Sequence, residues 1–168
     1  ISKQYNKDFT SLMPTNLYGP FDNFNLKTSH VLPSLVRKFH EAKEKNHCDV
    51  VLWGSGKPKR EFLHVDDLAE VVTFALENEL PEYLYNIGSS NDITIEKLAK
   101  IIQKQVGHNG NIKWDLSKPD GTPRKLIDSS KINNLGWRPK YDLETGIANT
   151  YSWFTKNIDN LKEVNFED

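Results

Sequence analysis

Cysteine is almost missing from this 168-residue chain: Cys48 stands alone, so no disulfide can form within it and a stapled secreted scaffold is excluded. Glycine and proline are few, at 9 and 8 residues, which excludes collagen-like and low-complexity disordered classes. Long hydrophobic runs are also lacking. The longest, Val71 to Leu76, is broken by Thr73, and the mean hydropathy is −0.63; a membrane-spanning helix needs about 20 apolar residues in succession. The first residues show no basic-then-apolar leader pattern, so the expected location is cytoplasmic. Charge of one sign is absent as well, with 22 Lys+Arg against 23 Asp+Glu and a pI near 6.6.

What remains is a hydrophobic fraction of 37% with 11% aromatics, enough for a packed core in a domain of usual size. The charge balance hides a division: residues 1–60 carry ten basic and five acidic groups, whereas residues 61–168 carry twelve and eighteen. A basic first third suits a phosphorylated small molecule. It contains no run of five like charges, so neither nucleic acid nor a membrane is an expected partner. The chain opens at Ile1 in a helix-compatible polar stretch, with no initiator Met and no capping residue. It is expected to be a piece of something larger.

Strands and helices alternate. Ser2 to Asp8 reads as the end of a helix and Phe9 to Met13 as a strand stopped by Pro14. Thr15 to Ser29 reads as a long loop with exposed aromatics, and loops of that length are usually functional. Val31, Leu32, Leu35, Val36 and Phe39 share one helical face, predicting a helix over 31–46. Asp49–Trp53 is a β-branched strand, Gly54-Ser55-Gly56-Lys57-Pro58 a turn, and Glu61–Val65 a second strand. Asp67 and Glu70 suggest a capping box for a helix ended by Pro81. A strand over 82–87, a helix capped by Thr94 and stopped at Gly107, and a strand at Ile112–Trp114 follow. A loop over 115–124, a short helix over 130–135 and a helix over 143–156 complete the chain. This is an α/β pattern without a G-x-G-x-x-G turn opening a helix: Gly54-Ser55-Gly56 leads into a strand instead, and cannot present a helix N-terminus to a pyrophosphate.

The residues that carry chemistry admit two readings each. Lys57, Lys59 and Arg60 beside the glycine turn suit a diphosphate, since a guanidinium can grip two phosphate oxygens; a solvated cationic hairpin fits equally well. His30, between the long loop and a helix, is placed for acid/base work or for simple surface exposure. His64, Asp66 and Asp67 are explained by capping and the helix dipole. His40, His47 and Cys48 lack a fourth ligand at a recognised spacing, so no metal is expected. Trp53 suits stacking on a ligand or burial in the core. SKPDGTPRK, at 117–125, can hold a sugar or nucleotide, or is a plain Pro-Asp-Gly turn.

Together, PTNLYGP at 14–20, SHVLP at 29–33, VVLWGSGKPKREFLHVDD at 50–67, SKPDGTPRKL at 117–126 and LGWRP at 135–139 closely resemble the GDP-L-fucose synthase family of extended short-chain dehydrogenases/reductases. NxYGP and RExxHVDD are common to many sugar-nucleotide epimerases and dehydratases; SHVLP and SKPDGTPRK are more particular. The resemblance implies the C-terminal part of a Rossmann-type NAD(P)-binding fold plus a smaller α/β substrate domain, over residues 1–168, with the glycine-rich cofactor half absent. It implies 3,5-epimerisation and NADPH-dependent 4-reduction of GDP-4-keto-6-deoxy-D-mannose to GDP-L-fucose, with NADP(H) as cofactor and a homodimer for the intact enzyme.

By this resemblance Pro14, Thr15, Asn16 and Leu17 match the segment against the nicotinamide end of NADP. His30 matches the acid/base histidine of epimerisation, close to the cofactor. Lys38, Trp53, Arg60 and Asp120 match contacts to the GDP-sugar, and Lys125 is a neighbour. The family's epimerase cysteine and its Tyr-x-x-x-Lys residues belong upstream of Ile1; Cys48 is in the wrong place to be that cysteine. The helix carrying Tyr-x-x-x-Lys would end close to Tyr5, so the chain is expected to begin inside it. Another NAD(P)-dependent sugar-nucleotide epimerase or dehydratase, or a non-catalytic nucleotide-sugar-binding module, is the alternative.

Overall fold

The computed structural model describes residues 2–5, 7 and 9–161. Within them the elements run α1 (Ser2–Tyr5), β1 (Ser11–Pro14), β2 (Asn16–Tyr18), α2 (Val31–Glu44), β3 (Asp49–Trp53), β4 (Lys59–His64), α3 (Val65–Glu77), β5 (Leu84–Ile87), β6 (Asp92–Thr94), α4 (Ile95–Val106), β7 (Asn111–Asp115), β8 (Arg124–Lys125), α5 (Ser130–Asn134) and α6 (Leu143–Asn157), with a 3₁₀ turn at Ile158–Asn160. The α/β expectation holds: β1 pairs with β5, β2 with β4, β3 with β7 and β4 with β8, all parallel, and only β4–β6 is antiparallel. Asp8, assigned above to the end of the first helix, lies outside the described residues.

β4 is the middle of this arrangement, and the pleat explains why. Successive strand side chains point to opposite faces, so Phe62 enters the larger core, with Leu32, Val36 and Phe39 of α2, Leu98 and Ile102 of α4, and Ile147 and Phe154 of α6. Its neighbour Leu63 enters a second core with Val71 of α3, Tyr85 and Ile87 of β5, Ile132 and Trp137. A strand serving two cores must be apolar at successive positions, which is what Phe62 and Leu63 supply. Each fully buried aliphatic or aromatic side chain contributes about 1.5–3 kcal/mol.

The helices follow their caps. Thr94 Oγ1 accepts the N–H of Lys97 at 3.2 Å, and Gly107 closes α4 at φ 77° in the left-handed region. Asp142 Oδ1 accepts the Thr145 N–H at 2.8 Å to start α6. The expected Asp67–Glu70 capping box is not formed. His64 is the N-cap of α3 instead, its Nδ1 accepting the Asp66 N–H at 3.2 Å. Asp67, one turn inward and buried, accepts the N–H groups of Lys140 at 2.8 Å and Tyr141 at 3.2 Å. His64 is buried between Tyr18 and Tyr141, and burial holds its pKa below the ordinary histidine value despite Asp66 and Asp67. α3 ends at Glu77, before Pro81.

The stretch after Pro14 is less of a loop than the sequence suggests. Asn16–Tyr18 forms β2, and two of the three aromatics are core residues: Tyr18 is 2% exposed and Phe24 1%, leaving only Phe21 in solvent at 85%. Asp22, Asn23 and Asn25 each accept a nearby backbone N–H, at 2.7, 3.0 and 2.8 Å, so the chain turns on its own side chains.

One buried carboxylate ties the layers. Glu61 of β4 is 0% exposed; its Oε1 accepts the Ser90 N–H at 2.7 Å and its Oε2 the Ile127 N–H at 3.2 Å. Its backbone carbonyl accepts Asn16 Nδ2 at 2.7 Å and Thr15 Oγ1 at 3.4 Å. Gly88 leaves the room, since a Cβ there would stand 2.4 Å from Oε1. Glu61→Gln is expected to lower stability in urea unfolding by about 2 kcal/mol, because the amide NH₂ must face a backbone N–H. Gly88→Ala acts on the same contact, so the two losses will be less than additive. An unchanged urea midpoint for Glu61→Gln would contradict this role.

Candidate functional site

A cavity of about 680 Å³ opens beside β1, β2 and the N-terminus of α3. Pro14, Thr15, Asn16, Leu17, His30 and Lys125 all line it. The polar ends of Thr15 and Asn16 are turned to the Glu61 carbonyl, and the Thr15 N–H donates to the Ile87 carbonyl at 2.9 Å. With Met13, Pro14, Leu17, Val65 and Ile127 the lining is mainly apolar, and His30, Asn86 and Lys125 add a few polar groups. That composition suits a planar ring with a polar edge, so the residues fit a nicotinamide. The adenosine and pyrophosphate end finds no glycine-rich turn onto a helix among the described residues.

His30 is the N-cap of α2 by its backbone alone, with φ −69° and ψ 168°; its imidazole makes no capping bond and is exposed. It is therefore free to meet a ligand. Asp22 lines the same cavity, and the sequence reading did not single it out. Its Oδ1 accepts the Asn23 N–H at 2.7 Å, while its buried Oδ2 has no hydrogen-bond partner. Burial holds this carboxyl above the usual range, with the Asn23 N–H and the nearby His30 pulling the other way.

The other predicted residues gather around the β3–β4 turn. Trp53, at the end of β3, is 69% exposed, so it is no core tryptophan. The Lys38 ammonium from α2 lies 5.6 Å from its ring centroid and that of Lys118 5.5 Å. Both are cation–π distances. Burial lowers the Lys38 pKa from its ordinary value. After Trp53 the chain turns through Gly54 at φ 77° and Gly56 at φ 73°, both in the left-handed region that glycine tolerates. A Cβ at Gly54 would lie 2.4 Å from Asp120 Oδ1, and one at Gly56 2.6 Å from Trp114.

Asp120 is the clamp of that turn. Its Oδ1 accepts the Ser55 N–H at 2.8 Å and its Oδ2 the Ser55 hydroxyl at 2.6 Å. These two bonds, the side-chain one first, hold its carboxyl below the ordinary range, with Lys57 adding to the effect. The turn amide is thus committed to a carboxylate and does not wait for a phosphate. Arg60 Nη1 donates to the Lys59 and Thr122 carbonyls at 2.7 and 2.6 Å. A guanidinium has five N–H groups, so the Nε and Nη2 edge stays available for a bidentate anion.

The predicted residues thus form two groups. Lys38, Trp53, Arg60 and Asp120 share the turn surface, and the remainder share the cavity. Lys125 joins them, since it lies opposite Arg60 in the β4–β8 pairing while lining the cavity. A second cavity of about 630 Å³, against Thr94, Lys97 and Tyr141, is lined by Lys59 of the cationic turn and by none of the residues that the resemblance implies. Elsewhere, His40 Nδ1 meets the Tyr151 hydroxyl at 3.2 Å and Cys48 is exposed. Among the described residues no three His, Cys, Asp or Glu side chains converge as for a metal, and no helix is long and apolar enough to cross a membrane.

Residues 1–88 match the model of the NAD dependent epimerase/dehydratase family. The chain is 52% identical over 160 residues to a probable GDP-L-fucose synthase 1 of Oryza sativa subsp. japonica, covering 95% of this chain and 49% of that protein. It is 51% identical over 170 residues to the GDP-L-fucose synthase of Escherichia coli K12, covering 96% and 53%. A crystal structure of a GDP-L-fucose synthetase from Naegleria fowleri bound to NADP superposes with a TM-score of 0.87 at 33% identity, covering 95% of this chain and 51% of that one. The chain spans about half the length of the curated relatives it matches.

Asp120→Ala is expected to leave the cores intact and release the turn, with amide exchange at Ser55 about tenfold faster. The same protection has a pH dependence with a defined sign. Because the folded carboxyl titrates below its ordinary value, its contribution is complete above that value and is lost as pH falls through the depressed one. Hydrogen exchange that is equally slow in Asp120→Ala would contradict the clamp.

Proposed function

The chain belongs to the NAD dependent epimerase/dehydratase family, and from that premise we propose that it is the C-terminal portion of a GDP-L-fucose synthase, supplying the GDP-sugar site and the epimerase histidine. The observation that carries this reading is the Arg60–Lys125 pairing across β4 and β8. It puts the cationic turn, suited to a diphosphate, directly beside the cavity that holds His30 and fits a nicotinamide. A GDP-sugar with its diphosphate on the turn would direct its hexose towards that cavity.

In the intact enzyme the substrate is GDP-4-keto-6-deoxy-D-mannose, and the 4-keto group acidifies the C–H bonds at C3 and C5. His30 holds or returns a proton there, its imidazole being exposed and free of a capping bond. Hydride for reduction at C4 is what NADPH supplies when bound. Pro14, Thr15, Asn16 and Leu17 form the wall against which the nicotinamide end would lie. Arg60, Lys38 and Lys125 offer cations to the diphosphate, and Asp120 acts through the shape of the turn. Lys38 retains the charge but not the fork that arginine would bring.

The upstream half of the dinucleotide fold would continue the sheet at β1. Among the described residues β1 pairs with β5 alone and leaves Met13 exposed, with Tyr5, Phe9 and Leu84 also in solvent. Parallel strands are ordinarily covered on both faces. A homodimer and a cytoplasmic location belong to the same proposal.

The purified chain is expected to bind GDP more tightly than UDP in calorimetry, and Arg60→Ala to weaken GDP by about tenfold or more. It is expected to oxidise no NADPH with GDP-4-keto-6-deoxy-D-mannose present. UDP bound as tightly as GDP would contradict the substrate assignment. NADPH turnover by this chain alone would contradict its assignment as the non-autonomous half.

A further inference from the structure

The Trp53 ring carries two ammonium groups, and this bears on what it does. Lys38 approaches it from α2 at 5.6 Å and Lys118 from the 115–124 loop at 5.5 Å. The two nitrogens therefore stand within about 11 Å of each other, whichever faces of the ring they occupy, close to one screening length. Among the described residues neither forms an ion pair. The carboxylates nearby keep their charge but sit on serines, Asp120 on Ser55 and Asp115 on the N–H and hydroxyl of Ser117 at 3.0 and 2.6 Å, with Asp115 attracted to Lys118 without an ion-pair contact. Lys57 and Arg60 add further positive charge on the same turn. An exposed aromatic placed for a base would keep both faces clear, whereas at least one face of Trp53 is held by an ammonium group.

We propose that Lys118 and Lys38 form a two-ammonium clamp, steadied by the electron-rich ring of Trp53, that grips the diphosphate of a nucleoside-diphosphate ligand, and that Trp53 is not a stacking platform for the base. Lys118, one cation of the 117–125 segment that can hold a sugar or nucleotide, becomes a diphosphate ligand, a role that the resemblance does not give it. The ring gives each flexible lysine a preferred position, which lowers the entropy lost on ordering it at the anion. Four cations are then offered to the diphosphate: two point charges at Trp53, Arg60, and Lys125 opposite it. The inference rests on the sugar-nucleotide reading above and names the group of that ligand that Trp53 serves.

The test compares GDP, UDP and inorganic pyrophosphate by calorimetry on the purified chain and on Lys118→Met, Lys118→Arg and Trp53→Leu, with thermal melts to verify folding. Lys118→Met should weaken GDP and pyrophosphate by the same factor, about tenfold, and Lys118→Arg should restore most of it. Trp53→Leu should likewise weaken both equally. Unchanged pyrophosphate affinity in Lys118→Met overturns the clamp. Trp53→Leu weakening GDP but not pyrophosphate overturns it in favour of base stacking. No binding of pyrophosphate to the parent chain overturns it as well. If UDP matches GDP while pyrophosphate still responds to Lys118→Met, the clamp stands and the guanine assignment falls.

Discussion

The carboxylate of Glu61 is the contact on which the rest of the arrangement depends. It is fully buried and answered only by backbone N–H groups, those of Ser90 and Ile127. An ionised group removed from water is costly unless its lone pairs are satisfied, so these amides must stay where they are. Through them Glu61 holds the β5–β6 connection and the segment after β8 against β4. Through its own carbonyl it holds Asn16 and Thr15. The wall of the larger cavity formed by Thr15, Asn16 and Ile127 is therefore one hydrogen bond from the same residue.

The two cationic and apolar surfaces follow from that frame. β4 begins between β6 and β8 and ends beside β2. Its first residues, Lys59 and Arg60, therefore project near the glycine turn, and its last residues are buried. The turn is locally positive because Lys38, Lys57, Arg60 and Lys118 outnumber the carboxylates there, Asp120 and Asp115, which stay charged while hydrogen-bonded to Ser55 and Ser117. Charge balance over the whole chain conceals a locally positive face, the kind of field that draws a diphosphate.

Much of the fold was legible because it is periodic. The apolar faces of α2, α4 and α6 and the β-branched run of β3 stand out at their own spacing, and Thr94, Gly107 and Asp142 mark boundaries by their chemistry. β2, β6 and β8 have three, three and two residues, too few for any period to appear, and they exist because neighbours pair with them. His64 took the cap from Asp67 because Asp67 was needed inside, under Lys140 and Tyr141. Phe24 looked like a loop aromatic, and only the arrival of Trp153 and Phe154 from the far end of the chain makes it core. Of the candidate site, His30, Arg60 and the glycine turn were visible by residue type, and exposure removes only the core reading of Trp53. Asp22 was not visible, and Lys118 was visible only as one cation of the 117–125 segment. Nothing local distinguishes them from a turn aspartate and a surface lysine until the fold brings a histidine and an indole beside them.

If the proposed function holds, the turn around Trp53 is where a GDP-sugar binds. The most direct measurement is a titration of the ¹⁵N-labelled chain with GDP, followed by two-dimensional NMR on the indole N–H signals of its 4 tryptophans. The Trp53 indole and the Ser55 and Asp120 amides should shift together, while Trp137, buried in the second core, should not move. Shifts confined to the second cavity, at Thr94, Lys97 and Tyr141, or none at any residue, would rule out binding at the turn.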